Sequence, residues 1–214
     1  VGRYGWQKTF YSNLPTLYGI QDYGGYDSII LTTFARYMEA IEHQKLLPYN
    51  IVMNVEQKAS LDSPLFRLLG IRYLLSVKPL DHPDYERVEV PGNLSLSRVK
   101  PERSLPRAFL VNRVHRVLDL DEAIETIKTG QIDITKEAAV QTTPAHSVHL
   151  VGALAGPPGE AAITSYRPSR VEVRTSASGQ QFLVLSDVYY PGWRAYVDGT
   201  PADIIVTNGI FRGV

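Results

Sequence analysis

"YYPGWRAYVDGTPADIIVTNGIFRGV", residues 189–214, carries two hairpin signals, Asp198-Gly199 and Asn208-Gly209. Each is a dipeptide that readily takes the φ > 0 backbone of a tight turn. Short β-rich runs surround them: Ala195-Tyr196-Val197, Ile204-Ile205-Val206 and Ile210-Phe211. The last run has barely started at Val214, with no Pro, charge cluster or polar tail behind it. This predicts a hairpin cut before its partner strand, with an unpaired edge near Val214 that frays or pairs with a neighbouring copy.

Working back from this end, the chain shows only short runs separated by turns. They cover 161–166, 170–175, 182–188, 193–197 and 202–206, and such regular spacing predicts an antiparallel β-sandwich or jelly-roll-like half. The segment 152–159, with Pro157-Pro158 inside it, is the strongest loop signal and the predicted seam. Upstream the pattern is mixed. Ile30, Phe34, Tyr37, Met38 and Ile41 recur at helical spacing within 28–47, ahead of Pro48. Ser63 and Pro64 open a short helix that Gly70 closes, and 71–77 reads as a buried strand. Residues 94–99 and 108–114 read as two strands that pair with each other. Asp119 and Glu122 form a capping box ahead of the stripe Leu120, Ala123, Ile124 and Ile127. The expected class is α+β: an α/β part over 1–155, with a few helices on a small sheet, and a β-sandwich part over 160–214.

Charge and composition remove several function classes. The 22 Lys and Arg balance the 22 Asp and Glu, so no net field favours nucleic acid. There is no Cys, which excludes disulfides, thiolate metal sites and a Cys nucleophile. The most apolar stretch, 148–155, is too short for a membrane span. Motifs for dinucleotides, P-loop phosphates, serine hydrolysis and zinc proteolysis are absent. His146 and His149, the one close His pair, face opposite sides if their segment is a strand, so no shared metal is expected there. Asp119-Leu120-Asp121 has the D-x-D form that suits a divalent cation, but Asp119 already opens the capping box. No cofactor or metal is expected.

Two segments offer sugar-binding chemistry. In "GIQDYGGYDS", Asp22, Tyr26 and Asp27 combine carboxylates that accept from hydroxyls with rings that stack on a sugar's apolar face. The competing reading is that Asp27 or Ser28 caps the next helix while Tyr23 and Tyr26 pack. In "SDVYYPGWRAYVDG", Tyr190 and Trp193, with Tyr189 and Tyr196 beside them, form a candidate platform with Asp187, Arg194 and Asp198 nearby. The competing reading makes Trp193 a core anchor and Asp198-Gly199 a plain hairpin turn.

The stretch "LVLSDVYYPGWRAYVDGTPADIIVTNGIFRGV" resembles the carboxy-terminal extracytoplasmic part of the YfhO family, bacterial multi-span membrane proteins of the GT-C glycosyltransferase type. "LYGIQDYGGYDSI", "LLGIRYLLS", "LPRAFLV" and "DEAIETIKTG" follow the family's order, so the similarity spans nearly the whole chain. It is strongest over 183–214, where Y-x-G-W, the V-D-G turn and N-x-x-F-R-G occur together. The resemblance implies a module on the extracytoplasmic face of a bacterial cytoplasmic membrane, joined to a membrane-spanning part of its own chain. It also implies that the catalytic carboxylate and lipid-linked donor site lie in that membrane part, since no position here matches them. The expected role is accessory and not catalytic: positioning a glycan or envelope-polymer acceptor. The alternative is a protein-interaction scaffold of the envelope that binds no sugar.

Overall fold

The computed structural model describes residues 14–24, 30–43, 55–142, 152–153 and 156–214. It is an α+β structure with a sheet-rich C-terminal half, and it divides into two compact units, Val1–Ser104 and Leu105–Val214.

In the first unit, α1 (Leu14–Leu17) precedes α2 (Thr32–Ile41), which buries Tyr37, Met38 and Ile41. The predicted apolar spacing is there, but the helix is shorter than 28–47. A 3-10 turn, Lys58–Asp62, leads into α3 (Pro64–Leu68), which Pro64 opens and behind which Gly70 sits at φ 67. Ser63 occupies the N-cap without a side-chain hydrogen bond, so the proline's fixed φ marks the helix start here. Tyr37 is fully buried between α2 and α3, and its hydroxyl donates to the Leu65 carbonyl at 2.9 Å. Three antiparallel strands follow, β1 (Tyr73–Ser76), β2 (Tyr85–Val88) and β3 (Ser95–Val99), with β3 in the middle. The strand predicted as buried is β1, yet Tyr73 and the following Val77 are exposed, because β1 is an edge of a small sheet.

The second unit is built on a seven-stranded sheet. Its members are β4 (Ala108–Val111), β5 (Arg113–Val117), β6 (Glu137–Gln141), β7 (Gly152–Ala153), β10 (Phe182–Val188), β13 (Ile205–Thr207) and β14 (Phe211–Gly213). The spatial order is β4-β10-β14-β13-β6-β5-β7. β5 and β6 run parallel, joined by α4 (Leu120–Lys128), which packs Leu120, Ala123 and Ile127 onto them as a crossover helix must. The cap forms, with the reciprocal bond one residue earlier than in a standard capping box: Asp119 Oδ1 accepts from Glu122 N at 3.0 Å, and Glu122 Oε2 accepts from Leu118 N, before the N-cap, at 2.6 Å. The cap reading of Asp119-Leu120-Asp121 is thus the observed one.

Two further ribbons lie among the described residues of the unit: β8 (Glu160–Arg167) with β9 (Arg170–Ser176), and β11 (Ala195–Val197) with β12 (Thr200–Ala202). The Asp198-Gly199 hairpin forms as read, with φ 50 and 83 at its two central residues.

Three expectations are corrected here. Strand 108–111 does not pair with 95–99; β4 pairs with β10 and β3 with β1 and β2. The division falls between Ser104 and Leu105, and the segment 152–159 lies inside the second unit, because strands on both sides of it share one sheet. That segment is also stapled: Asn112 Nδ2 donates to the Gly156 carbonyl at 2.8 Å, and Gly159 N donates to Gln181 Oε1 at 2.7 Å.

The third correction concerns the chain end. β14 is not an edge with a missing partner. It lies between β10 and β13, and Val214 exchanges both backbone bonds with Leu183, at 2.7 and 2.9 Å. No unpaired edge remains there to fray or recruit a neighbouring copy. The partner strands precede β14 in the chain, which a reading of the terminal run by itself does not reveal. Among the described residues, no helix is long and apolar enough to cross a membrane.

Candidate functional site

Two β-bulges shape a polar cluster in the second unit. Between the pairs Leu185↔Arg212 and Val188↔Phe211, β10 advances three residues while β14 advances one. Asp187 lies in that irregular stretch. On the ribbon, Ile163↔Val173 is followed by Ser165↔Glu172, so β8 carries one extra residue and Tyr166 moves to the side of Ala161 and Ile163. Bulges re-aim side chains in this way.

The result is a buried carboxylate shared by the two strands that flank β10. From the residue before β4, Arg107 donates to Asp187 Oδ1 through Nε at 2.7 Å and Nη2 at 2.6 Å. From β14, Arg212 Nη2 donates to Oδ2 at 2.9 Å. The Tyr166 hydroxyl lies 3.2 Å from both oxygens and accepts from Arg107 Nη2 at 3.0 Å. The Asp187 side chain is 3% exposed and that of Arg212 10%, whereas that of Arg107 is 34% exposed. Burial pushes the Arg212 guanidinium below its ordinary value, with Asp187 acting against that shift. Burial also raises the Tyr166 phenol, and Asp187 adds to the rise. Arg212 Nε is buried without a hydrogen-bond partner, so this end of the guanidinium is held by stacking instead.

That stacking comes from Trp193, whose ring lies with the Arg212 guanidinium carbon 4.1 Å from its centroid. Arg107 sits similarly over Tyr166 at 4.7 Å. Trp193 is half-buried in the connection between β10 and β11, while Tyr190 and Tyr196 on either side of it are 57% and 59% exposed.

The predicted residues therefore separate into groups. Asp187 and Trp193 are brought together through Arg212. With both oxygens of its carboxylate engaged, Asp187 acts as a clamp for arginines and not as an open acceptor for sugar hydroxyls. Tyr190 and Arg194 are exposed in the connection, and Asp198 is exposed in the β11–β12 turn. Asp22 lies in the other unit, where its Oδ1 accepts from Gly24 N at 3.1 Å in a local turn. Tyr26 and Asp27 lie outside the described residues, as do His146 and His149. Tyr23, in the same segment, packs edge-on against Phe66 and accepts from Val55 N at 3.2 Å. Sequence reading missed Arg107, Tyr166 and Arg212. The F-R-G motif holding Arg212 was noticed, but only the bulge register shows what its arginine meets.

In the first unit, Asp62, His82 and Asp84 offer ligand atoms within 4.8 Å of one another. His82 Nδ1 accepts from the Asp84 backbone N–H at 3.2 Å, which assigns the ring proton to Nε2, 3.3 Å from Asp62 Oδ1. Asp84 Oδ2 in turn holds Arg103 Nε at 2.7 Å. Both imidazole nitrogens are committed, so the group works as a tie between the 3-10 turn and β2; a cation would have to break it.

No family model matches this chain, and no curated protein or solved structure matches it.

Proposed function

We propose that this chain is an extracytoplasmic accessory module of a membrane-embedded, GT-C-like glycosyltransferase, and that it positions a glycan or envelope-polymer acceptor without performing the transfer. The observation that carries the reading is the exposure of Tyr190 and Tyr196 on either side of a half-buried, guanidinium-backed Trp193. Two exposed tyrosine rings close in the chain to a half-buried indole offer faces for stacking, and a pyranose offers an apolar face of suitable size. Arg194 and Asp198, both exposed on the same segment, supply a donor and an acceptor for sugar hydroxyls. The resemblance to the YfhO family supports the cellular setting, and with it a membrane-spanning part of the same chain as the first partner.

Titration with cell-wall oligosaccharides, followed by NMR, tests the reading. Saturable shifts at the Trp193 indole and at the Tyr190 and Tyr196 rings are expected, and their absence across a glycan array would sink it. A competing reading, an envelope scaffold that binds another protein, draws on Val197, which is exposed on the face of β11 opposite Tyr196. Under that reading Val197→Ser weakens partner binding while no sugar produces a shift.

A further inference from the structure

We propose that Arg107, Asp187 and Arg212 form a positioning relay that fixes the Trp193 ring, so that sugar affinity at Trp193 depends on residues that do not touch the sugar. The affinity part of this inference rests on the glycan-binding reading; the fixing of the ring does not.

Trp193 lies in a connection with no regular secondary structure, between Val188 and Ala195, so no backbone ladder fixes the direction of its ring. What holds one face of it is the Arg212 guanidinium, which is itself nine-tenths buried. An arginine has a long, rotamer-rich side chain, and ordering one costs conformational entropy unless bonds restrain it. Here the restraint is Asp187, at 2.9 Å from Nη2. Asp187 is restrained in turn by the two Arg107 contacts and by Tyr166.

The geometry has a buried middle and two accessible ends. Asp187 and Arg212 are inside, Arg107 and Tyr166 are partly exposed at one end, and Trp193 is partly exposed at the other. Loosening the Arg107 end frees the Asp187 carboxylate to turn, and the guanidinium under the indole then loses its fixed register. A flat stacking ligand needs the ring held in one orientation, because ordering it at the moment of binding subtracts from affinity. The chemical class of ligand is the one named above, a pyranose presenting its apolar face. Arg107, Asp187 and Arg212 are positioning residues, since they act through Trp193.

The test uses the full chain with Trp6→Phe, which leaves Trp193 as the single tryptophan of the two. Arg107→Gln is the informative variant, because Arg107 is the accessible end and Asp187 keeps Arg212 as a partner. Acrylamide quenching of Trp193 and the relaxation order parameter of its indole N–H are measured without ligand. Quenching at least twofold stronger and a lower order parameter are expected in Arg107→Gln, with Tyr166→Phe showing a smaller change in the same direction. Ile127→Val, in the α4 core, serves as the control for general destabilisation and leaves Trp193 unchanged. Oligosaccharide affinity in Arg107→Gln is expected to fall about fivefold, the lower end of common inter-site coupling.

Unchanged quenching and order in Arg107→Gln overturns the relay. If the oligosaccharide binds and Trp193→Ala abolishes binding while Arg107→Gln keeps full affinity, the relay is overturned and the function stands. If no oligosaccharide binds the parent chain, the function falls, and the ligand-free quenching still decides whether Arg107 fixes the ring.

Discussion

Asp187 and Arg212 face each other across adjacent strands of one sheet, with Arg212 Nη2 donating to Asp187 Oδ2 at 2.9 Å while the outer face of the guanidinium carries the ring of Trp193. A salt bridge and a stacked aromatic thus share one arginine, and the carboxylate side of that pair is almost fully withdrawn from water.

Removing the carboxylate leaves the buried Arg212 guanidinium without its ionic partner. Asp187→Ala is expected to cost about 3–5 kcal/mol, the range for deleting one partner of a buried pair. Arg107→Gln should cost only about 1 kcal/mol, since Arg107 is partly hydrated and Asp187 retains Arg212. Urea denaturation of the two variants side by side measures the difference; equal costs would show that the Arg212 contact adds nothing beyond the Arg107 contact.

Gly213 is required by packing in the central strand. A Cβ placed there would run into the Phe182 ring and the Thr207 hydroxyl, both in strands hydrogen-bonded to β14. Gly213→Ala is expected to destabilise by about 1–3 kcal/mol through overpacking. Pairing it with Phe182→Leu should recover part of that loss in a thermal melt.

Asn208 replaces a stretch of β-ladder with a side chain. It is fully buried at φ 49, its N–H donates to the Ala139 carbonyl at 2.6 Å, and its Oδ1 accepts from Ala139 N at 2.9 Å. Asn208→Ala gives up both tolerance of positive φ and the acceptor for a buried N–H, a combined cost of about 2–3 kcal/mol. Amide exchange at Ala139 should quicken more than at other β6 positions; uniform quickening would argue against the local bond.

Tyr85 should contribute to the alkaline limit of the first unit, together with the buried Tyr37 and the half-buried Tyr23, whose phenols burial also raises. Burial is the main cause that pushes the Tyr85 phenol from 10.0 up to about 12, and Asp84 and Asp62 add to it. The raised value disfavours ionisation of the folded form, so the stabilisation is complete below pH 10 and is lost as pH rises from 10 towards 12. Absorbance titration near 295 nm (~10 nm window) of the parent chain against Tyr85→Phe should show one late-ionising tyrosine missing in the variant. If the absorbance missing from the variant falls near pH 10 instead of towards 12, Tyr85 is not the group shifted.

How far these features could be read in advance depended on how local their causes are. Asp119 and Glu122 lie three residues apart, so the cap of α4 was visible in the letters, as were the Asp198-Gly199 turn and the run that became β10. Alternation and turn chemistry act over a few residues, and a sequence carries them whole. The candidate aromatics were visible for the same reason: Tyr190, Trp193 and Tyr196 stand close together in the chain.

The α+β character, the cap of α4 and the β-rich C-terminal run follow from periodicity and turn residues that need no distant partner. Strand partners were decided only in the tertiary structure. Ala108–Val111 chose Phe182–Val188 over nearby Ser95–Val99, and Phe211–Gly213 entered the middle of the sheet, because a strand's place is set by which distant face buries its side chains and backbone groups. The site followed from that choice: only once β4, β10 and β14 lie side by side, with β10 bulged at Asp187, do Arg107 and Arg212 close on one carboxylate and set the ring of Trp193.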